Sequence, residues 1–335
     1  MMNKPGPSNT LTDVPGIRVG HHQNESTGTT VILPPKQGAV AGVDVRGSGP
    51  ATRETDALDP TNLVQHIHAI VLSGGSAFGL STADGVMRML AEQQIGFPVD
   101  ENMVVPIVPT ACLFDLALAD NKSLQPDADF GRQALSNVSS DVVKQGNVGA
   151  GTGATAAALK GGLGSASVML DHGIVVGALV AVNAFGSAVD PDTGKLYAAP
   201  YGLEGEFDHL APHPAPSVNE KEAGLMENTT LAVIATNAAI NKPQATKVSE
   251  MAHDGMARGL RPIHTMFDGD TIFTLSTGEL EVKMEPDAPF MVKEAMKVNL
   301  IGAAAADTLT RAIGHAMLHA ESVSNFPSYR ETHLD

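Results

Sequence analysis

The first place where residue types and spacing could do chemistry is Asn228-Thr229-Thr230. There a polar run ends and the apolar run Leu231-Ala232-Val233-Ile234-Ala235 begins. A threonine hydroxyl is a weak nucleophile until a base takes its proton, and a free α-amine on the same residue is such a base. An α-amine titrates near pH ~8, close to working pH, which suits general base catalysis. Scission of the chain between Asn228 and Thr229 would create that amine. The plainer reading is that the two threonines simply open a strand, and the pattern alone leaves both open. The same triplet fits a glycosylation sequon, which matters only in a secreted protein.

The second place is Asp268-Gly269-Asp270, inside His264-Thr265-Met266-Phe267-Asp268-Gly269-Asp270-Thr271-Ile272-Phe273. Asp-Gly between β-formers signals a tight hairpin turn, which accounts for Asp268 and Gly269 but less well for Asp270. Two carboxylates around one glycine would sit close together. One could stay ionised and hold an ammonium group while its partner's pKa rises. A third candidate is Asn183, a polar residue ending the apolar run from Val175 to Val182; capping or turn formation is its alternative role.

Other motifs are weaker. Ser73-Gly74-Gly75-Ser76 joins a buried strand, Ala69–Leu72, to a helix, an arrangement that binds anions or serves as a turn. Gly149-Ala150-Gly151-Thr152-Gly153-Ala154 matches a dinucleotide fingerprint, but the preceding Asp141–Gln145 is too polar for the buried strand that fingerprint needs. A close-packed turn near a site fits it better. Cys112, the only cysteine, lies in an apolar run and reads as a buried inert thiol. Arg311, His315 and His319 recur every four residues and read as a surface row. Neither Glu nor Cys completes a metal set there, so no metal is expected.

These candidates need a framework. The 335 residues are 43% hydrophobic and 17% charged, enough for a full core, with no tryptophan and 4% aromatics, so the core must be aliphatic. A net charge of −16 argues against nucleic acid or an anionic membrane as partner. No window approaches an uninterrupted membrane span of ~20 apolar residues. The polar first dozen residues lack a signal core, so the cytoplasm is the expected compartment. Thr29–Leu33 and Ala39–Val45 read as strands with a hairpin-like break at Pro34-Pro35-Lys36-Gln37-Gly38, and Val104–Val108 as another strand. Helices are expected over about Ala77–Gln94, over Asp127–Asn137, after the cap Asn241 and over Phe290–Leu318. Ser165–Leu170 and Ile174–Asn183 should form a hairpin, the second strand being central. Asp190 to Glu227, rich in proline and acid, reads as a long surface loop.

Taken together, Leu11-Thr12-Asp13-Val14-Pro15-Gly16-Ile17-Arg18-Val19-Gly20, Leu72-Ser73-Gly74-Gly75-Ser76-Ala77-Phe78-Gly79-Leu80, Asn147–Ala154, Asn228-Thr229-Thr230-Leu231 and Pro262–Thr271 give the chain a close resemblance to the L-aminopeptidase/D-esterase (DmpA-like) family of self-processing hydrolases. β-Peptidyl aminopeptidases and nylon-oligomer hydrolases belong with it. The resemblance covers nearly the whole chain. It implies an α/β fold, a four-layer α/β/β/α sandwich of the type shared with ornithine acetyltransferases. It implies one catalytic domain over residues 1–335, cut into an α fragment, 1–228, and a β fragment, 229–335. Thr229 matches the nucleophile, Asn228 the residue before the cut, Asp268 and Asp270 the pair that positions nucleophile and amine, and Asn183 the oxyanion-binding asparagine. Lys160 lies two residues beyond Ala158, where some members carry lysine. Phe114 falls near a pocket tyrosine of some members. Both are substrate-binding candidates. The resemblance further implies no cofactor, a small peptide or amide substrate, and a homo-oligomer, commonly a tetramer of α/β pairs. An acyltransferase of the ornithine acetyltransferase type is the alternative activity.

Overall fold

The computed structural model describes residues 3–116, 125–214, 228–282 and 289–334. In chain order the first elements are β1 (Arg18–Gln23), β2 (Gly28–Leu33), β3 (Val40–Val45), β4 (Ala51–Arg53), β5 (Ile70–Ser73), α1 (Thr82–Glu92), β6 (Phe97–Pro98), β7 (Val104–Val105), β8 (Thr110–Cys112) and α2 (Ala128–Ser136). They are followed by β9 (Thr155–Ala156), β10 (Leu159–Lys160), β11 (Gly162–Met169), β12 (Val175–Val182), β13 (Leu231–Ala238), α3 (Lys242–Gly259), β14 (Thr271–Leu280), α4 (Phe290–His319) and α5 (Tyr329–His333).

Two five-stranded sheets face each other, ordered β1-β2-β5-β8-β4 and β11-β12-β13-β14-β3. Helices α1 and α2 cover the first sheet and α3 and α4 the second, giving the layers α/β/β/α. Successive strand side chains point to opposite faces. In β13, Leu231, Val233 and Ala235 therefore enter the core between the sheets, while Ala232, Ile234 and Ala238 enter the core under α3 and α4. A strand wet on neither face is largely apolar, which explains the apolar runs Val175–Val182 of β12 and Leu231–Ala235 of β13. Small residues bring helix and sheet together: a β-carbon on Gly164 of β11 would collide with the Ala312 carbonyl of α4. Helix α3 starts where expected. Asn241 Oδ1 accepts Gln244 N–H at 3.0 Å, Gln244 Oε1 accepts Asn241 N–H at 3.0 Å, and Pro243 stands in the first turn.

Several sequence expectations need correction. The strands on either side of Pro34–Gly38 do not pair: β2 lies between β1 and β5, whereas β3 crosses to the other sheet and runs antiparallel to β14. A local break says where a strand ends but not which edge the next one joins. In place of Val104–Val108, only Val104–Val105 is strand, and Thr110–Cys112 supplies the sheet. Pro106 and Pro109 interrupt the run, since proline has no N–H for a ladder. The turn at Asp268-Gly269 does not close a hairpin, because no strand leads into it: the element before β14 is α3, and β14 pairs instead with β13 and β3. The β11–β12 hairpin forms as expected.

The supposed surface row is corrected at Arg311 and His315, while His319 is exposed as expected. Arg311 is 1% exposed and forms two bonds to Glu206, Nε to Oε2 at 2.6 Å and Nη2 to Oε1 at 2.7 Å. His315 Nε2 lies 2.8 Å from Glu206 Oε1. Burial alone would raise the Glu206 pKa, but bonds from His315 and Arg311 hold it below the ordinary carboxylate range. Glu206 belongs to the stretch read as surface loop, so sequence distance hid the partner. The part of that stretch at 215–227 lies outside the described residues. Among the described residues, no group of three or more His, Cys, Asp or Glu could hold a metal ion, and no helix is long and apolar enough to cross a membrane.

Candidate active site

Three neighbouring strands bring their ends to one point. β12 runs antiparallel to β13, with Ala181 opposite Leu231, so the residues after β12 meet those before β13. β14 runs parallel to β13, with Thr271 beside Leu231. Asn183, Thr229 and Asp270, widely spaced in the chain, are thereby held together by strand register.

Thr229 is 3% exposed. Its N–H donates to the Asn183 carbonyl at 2.5 Å, and its Oγ1 donates to the carbonyl of Asn228 at 2.5 Å. The hydroxyl thus lies against the peptide group joining Asn228 to Thr229. The next residue is fixed as well: Thr230 N–H donates to Asp270 Oδ1 at 2.8 Å, and Thr271 N–H to the Thr230 carbonyl at 3.2 Å.

Both aspartates are fully buried. Asp268 accepts Thr265 N–H at 2.7 Å on Oδ2 and Phe185 N–H at 3.4 Å on Oδ1. Asp270 Oδ2 accepts the N–H and Nδ1 of His264 at 3.1 and 2.7 Å. Burial, and then the charge of Asp270, push the Asp268 pKa up. Asp268 therefore holds a proton more readily than an ordinary carboxyl group, an asymmetry suited to a site that must move protons. Between the two, Gly269 packs closely against the Thr229 hydroxyl. A β-carbon there would lie 2.7 Å from Thr229 Oγ1, 2.7 Å from the Gly49 carbonyl oxygen and 3.0 Å from Pro50 Cα. Gly269→Ala should therefore displace the Thr229 hydroxyl and lower activity, at a stability cost of about 1–3 kcal/mol from overpacking. Rates and a denaturant melt of that variant test this.

The Asn183 side chain is held at both ends: its Nδ2 donates to the Phe114 carbonyl at 3.0 Å, and its Oδ1 accepts Thr155 N–H at 2.9 Å. Phe114 thus reaches the site at least through its backbone. Lys160 stands one layer back. It is fully buried, and its Nζ donates to the carbonyls of Gly151, Ala154 and Gly161 at 3.1, 2.7 and 2.9 Å. Burial lowers its pKa to about 7, against the opposing pull of Asp115. Burial likewise raises Asp115 to about 6. Lys160 stitches the loop that ends in Thr155; its ammonium points at backbone, not at an open cleft. The glycine run before Thr155 forms a single tight turn over Gly149–Gly151, tied by Ala150 N–H to Thr30 Oγ1 at 3.0 Å. It does not open a helix, as a dinucleotide site would require. Cys112 is buried and its thiol pKa is pushed up by burial, so it stays a thiol.

Sequence reading named Thr229, Asn228, Asn183, Asp268 and Asp270, and the fold brings all five together. It assigned no role to His264, Gly269 or Phe185. His264 and Gly269 lay inside a stretch already singled out; a histidine six residues before the second aspartate was the available signal.

A model of peptidase family S58 matches residues 9–330. The chain is 45% identical to an uncharacterized aminopeptidase of Mycobacterium tuberculosis over 346 aligned positions, covering 96% of this chain and 97% of that one. It is 30% identical to a 6-aminohexanoate-oligomer endohydrolase of Paenarthrobacter ureafaciens, covering 90% of this chain and 84% of that one. In fold it is similar to the L-aminopeptidase D-Ala-esterase/amidase of Ochrobactrum anthropi, described as a variant of the Ntn hydrolase fold. The TM-score is 0.75 at 22% identity, covering 100% of this chain and 92% of that one. A family match spanning almost every residue, together with relatives alike over nearly their whole length, shows that the chain belongs to peptidase family S58.

Proposed function

We propose that this chain is a self-processing N-terminal-threonine hydrolase that removes N-terminal aminoacyl groups from short peptides, amides or esters through an acyl-enzyme. The observation that carries this reading is the Thr229 hydroxyl, 2.5 Å from the carbonyl oxygen of the residue before it, in a buried site. In processing, Thr229 Oγ1 bonds to the carbonyl carbon of Asn228 as its proton leaves. The carbon–nitrogen bond breaks, the nitrogen gains a proton and becomes the Thr229 amine, and residues 1–228 are left as an ester. Water hydrolyses that ester, leaving a carboxylate on Asn228 and restoring the hydroxyl. The two fragments stay joined, because β12 and β13 are neighbours in one sheet across the cut.

In turnover the freed amine takes the Oγ1 proton while Oγ1 attacks the substrate carbonyl. The Asn183 amide stabilises the oxyanion. The amine then returns the proton to the leaving nitrogen, and water resolves the acyl-enzyme. Asp268 and Asp270 orient the ammonium form of Thr229 or hold the substrate's amino group. Support comes from the relatives, one named an aminopeptidase and another a 6-aminohexanoate-oligomer endohydrolase. Assembly as a homo-oligomer of α/β pairs is part of the proposal. It is supported by exposed apolar side chains at the start of α4, Phe290, Met291, Val292 and Met296, and around the β6–β7 hairpin, Phe97, Val99, Met103 and Val105.

Intact-mass analysis of the purified protein under denaturing conditions tests the reading. Two polypeptides are expected, the smaller beginning Thr229-Thr230-Leu231. Active protein that remains one 335-residue chain would refute it.

A further inference from the structure

Behind Asp270 stands a pair of histidines that the reaction above does not use. His264 reaches the same carboxylate oxygen, Asp270 Oδ2, twice, through its N–H at 3.1 Å and its Nδ1 at 2.7 Å. A carboxylate oxygen accepts, so Nδ1 carries the proton. Both bonds are possible because His264 adopts a left-handed backbone conformation with φ of 58°, which residues with a β-carbon seldom take. Such a conformation at a non-glycine residue persists only where the surroundings hold it, and it marks positions worth functional scrutiny. The ring is braced from α3: the His253 and His264 centroids lie 4.8 Å apart with planes at 71°. His253 is itself pinned, with Nε2 3.1 Å from the Asp44 carbonyl oxygen and 3.6 Å from Asp44 Oδ2. Asp44 also pairs with Arg46 at 2.8 Å. Burial pushes the His253 pKa down to about 3, so it stays neutral.

We propose that His264 is a positioning residue for the reaction, braced by His253, that fixes the Asp270 carboxylate so that Oδ1 stays on the Thr230 N–H and holds Thr229 in line. The proposal rests on the N-terminal-threonine reading and names one more residue that reading needs. The line of contacts runs from His253 to His264, to Asp270 Oδ2, through Oδ1 to Thr230 N–H, whose nitrogen is bonded to the carbonyl carbon of Thr229. The ionisable groups that face His264 are Asp270 from the start of β14 and His253 from α3, with Asp44 and Arg46 of the β3 end behind His253 and Asp268 beside Asp270. The Nδ1–H bond also draws charge from Asp270. Without it, the carboxylate would stabilise the Thr229 ammonium more strongly, and the amine would lose its proton only at higher pH.

Two substitutions at this position, alongside Thr229→Ala, test the idea. His264→Ala removes the ring but keeps the backbone N–H bond. His264→Asn puts an amide N–H near the Nδ1 position and tolerates the left-handed backbone. For hydrolysis of an aminoacyl p-nitroanilide by the mature enzyme, His264→Ala should lower kcat by about 10- to 100-fold, with KM within about twofold, as misplacement of a reacting group does. The acidic limb of its pH–kcat profile should move to higher pH. His264→Asn should recover most of kcat and return the limb towards its original place. If His264→Ala matures too slowly to assay, the rate of chain cleavage carries the same comparison. Unchanged kcat and limb in His264→Ala overturn the proposal. So does an asparagine variant that recovers nothing while both variants melt early, since that is a purely structural role. Hydrolysis by Thr229→Ala in the same series would instead overturn the threonine reading, so the two failures are told apart.

Discussion

Thr229→Ala should remain a single uncut chain of 335 residues and lose hydrolysis by roughly 10⁴-fold or more, as removal of a covalent nucleophile does elsewhere. The residue is 3% exposed, and alanine removes one methyl and one hydroxyl, so the stability cost should be about 1 kcal/mol. The variant should therefore fold, and its melting curve should stay close to that of the parent. Thr229→Ser keeps both hydroxyl and future amine and should still cut and turn over. Intact mass, a melt and a rate on each variant suffice. An alanine variant that cleaves its chain or turns over substrate would mean another group attacks.

The second large effect is expected at Asn183. Loss of one oxyanion donor costs about 10²- to 10³-fold in kcat. Asn183→Ala should fall in that range with little change in KM, since the amide acts on charge that develops only in the transition state. The same substitution leaves Thr155 N–H without the acceptor it has at 2.9 Å and the Phe114 carbonyl without its donor at 3.0 Å. A buried group so exposed costs about 1–3 kcal/mol, so this variant should also melt earlier. The kcat–KM split separates the two effects: a loss confined to KM, or a wild-type kcat in folded protein, would remove Asn183 from the oxyanion role.

Chemistry confined to neighbouring residues was legible from residue order. Thr229 after Asn228, at the junction of a polar and an apolar run, carries the nucleophile argument whatever the fold. Asp268 and Asp270 flank one glycine, so their closeness needed no tertiary information. The unbroken apolar run of β12 announced a strand buried on both faces, because a face open to water would have shown polar residues at every second position. The cap at Asn241 and the long apolar α4 were likewise local facts.

What only the three-dimensional structure decided was which distant segments meet. Strand register, a property of two segments at once, sets Asn183 against Thr229 and Asp270 against Thr230. It also sends β3 to the far sheet, against the hairpin suggested by the prolines before it. Arg311 looked like surface because its partner, Glu206, is 105 residues away, and a long-range ion pair leaves no periodic mark in either segment. Lys160 looked like a ligand-binding cation, yet three backbone carbonyls enclose it, a contact set that only packing can reveal. His264 stood six residues from Asp270 in a stretch already singled out, but its left-handed backbone, which aims two donors at one carboxylate oxygen, is a matter of conformation, not of spacing.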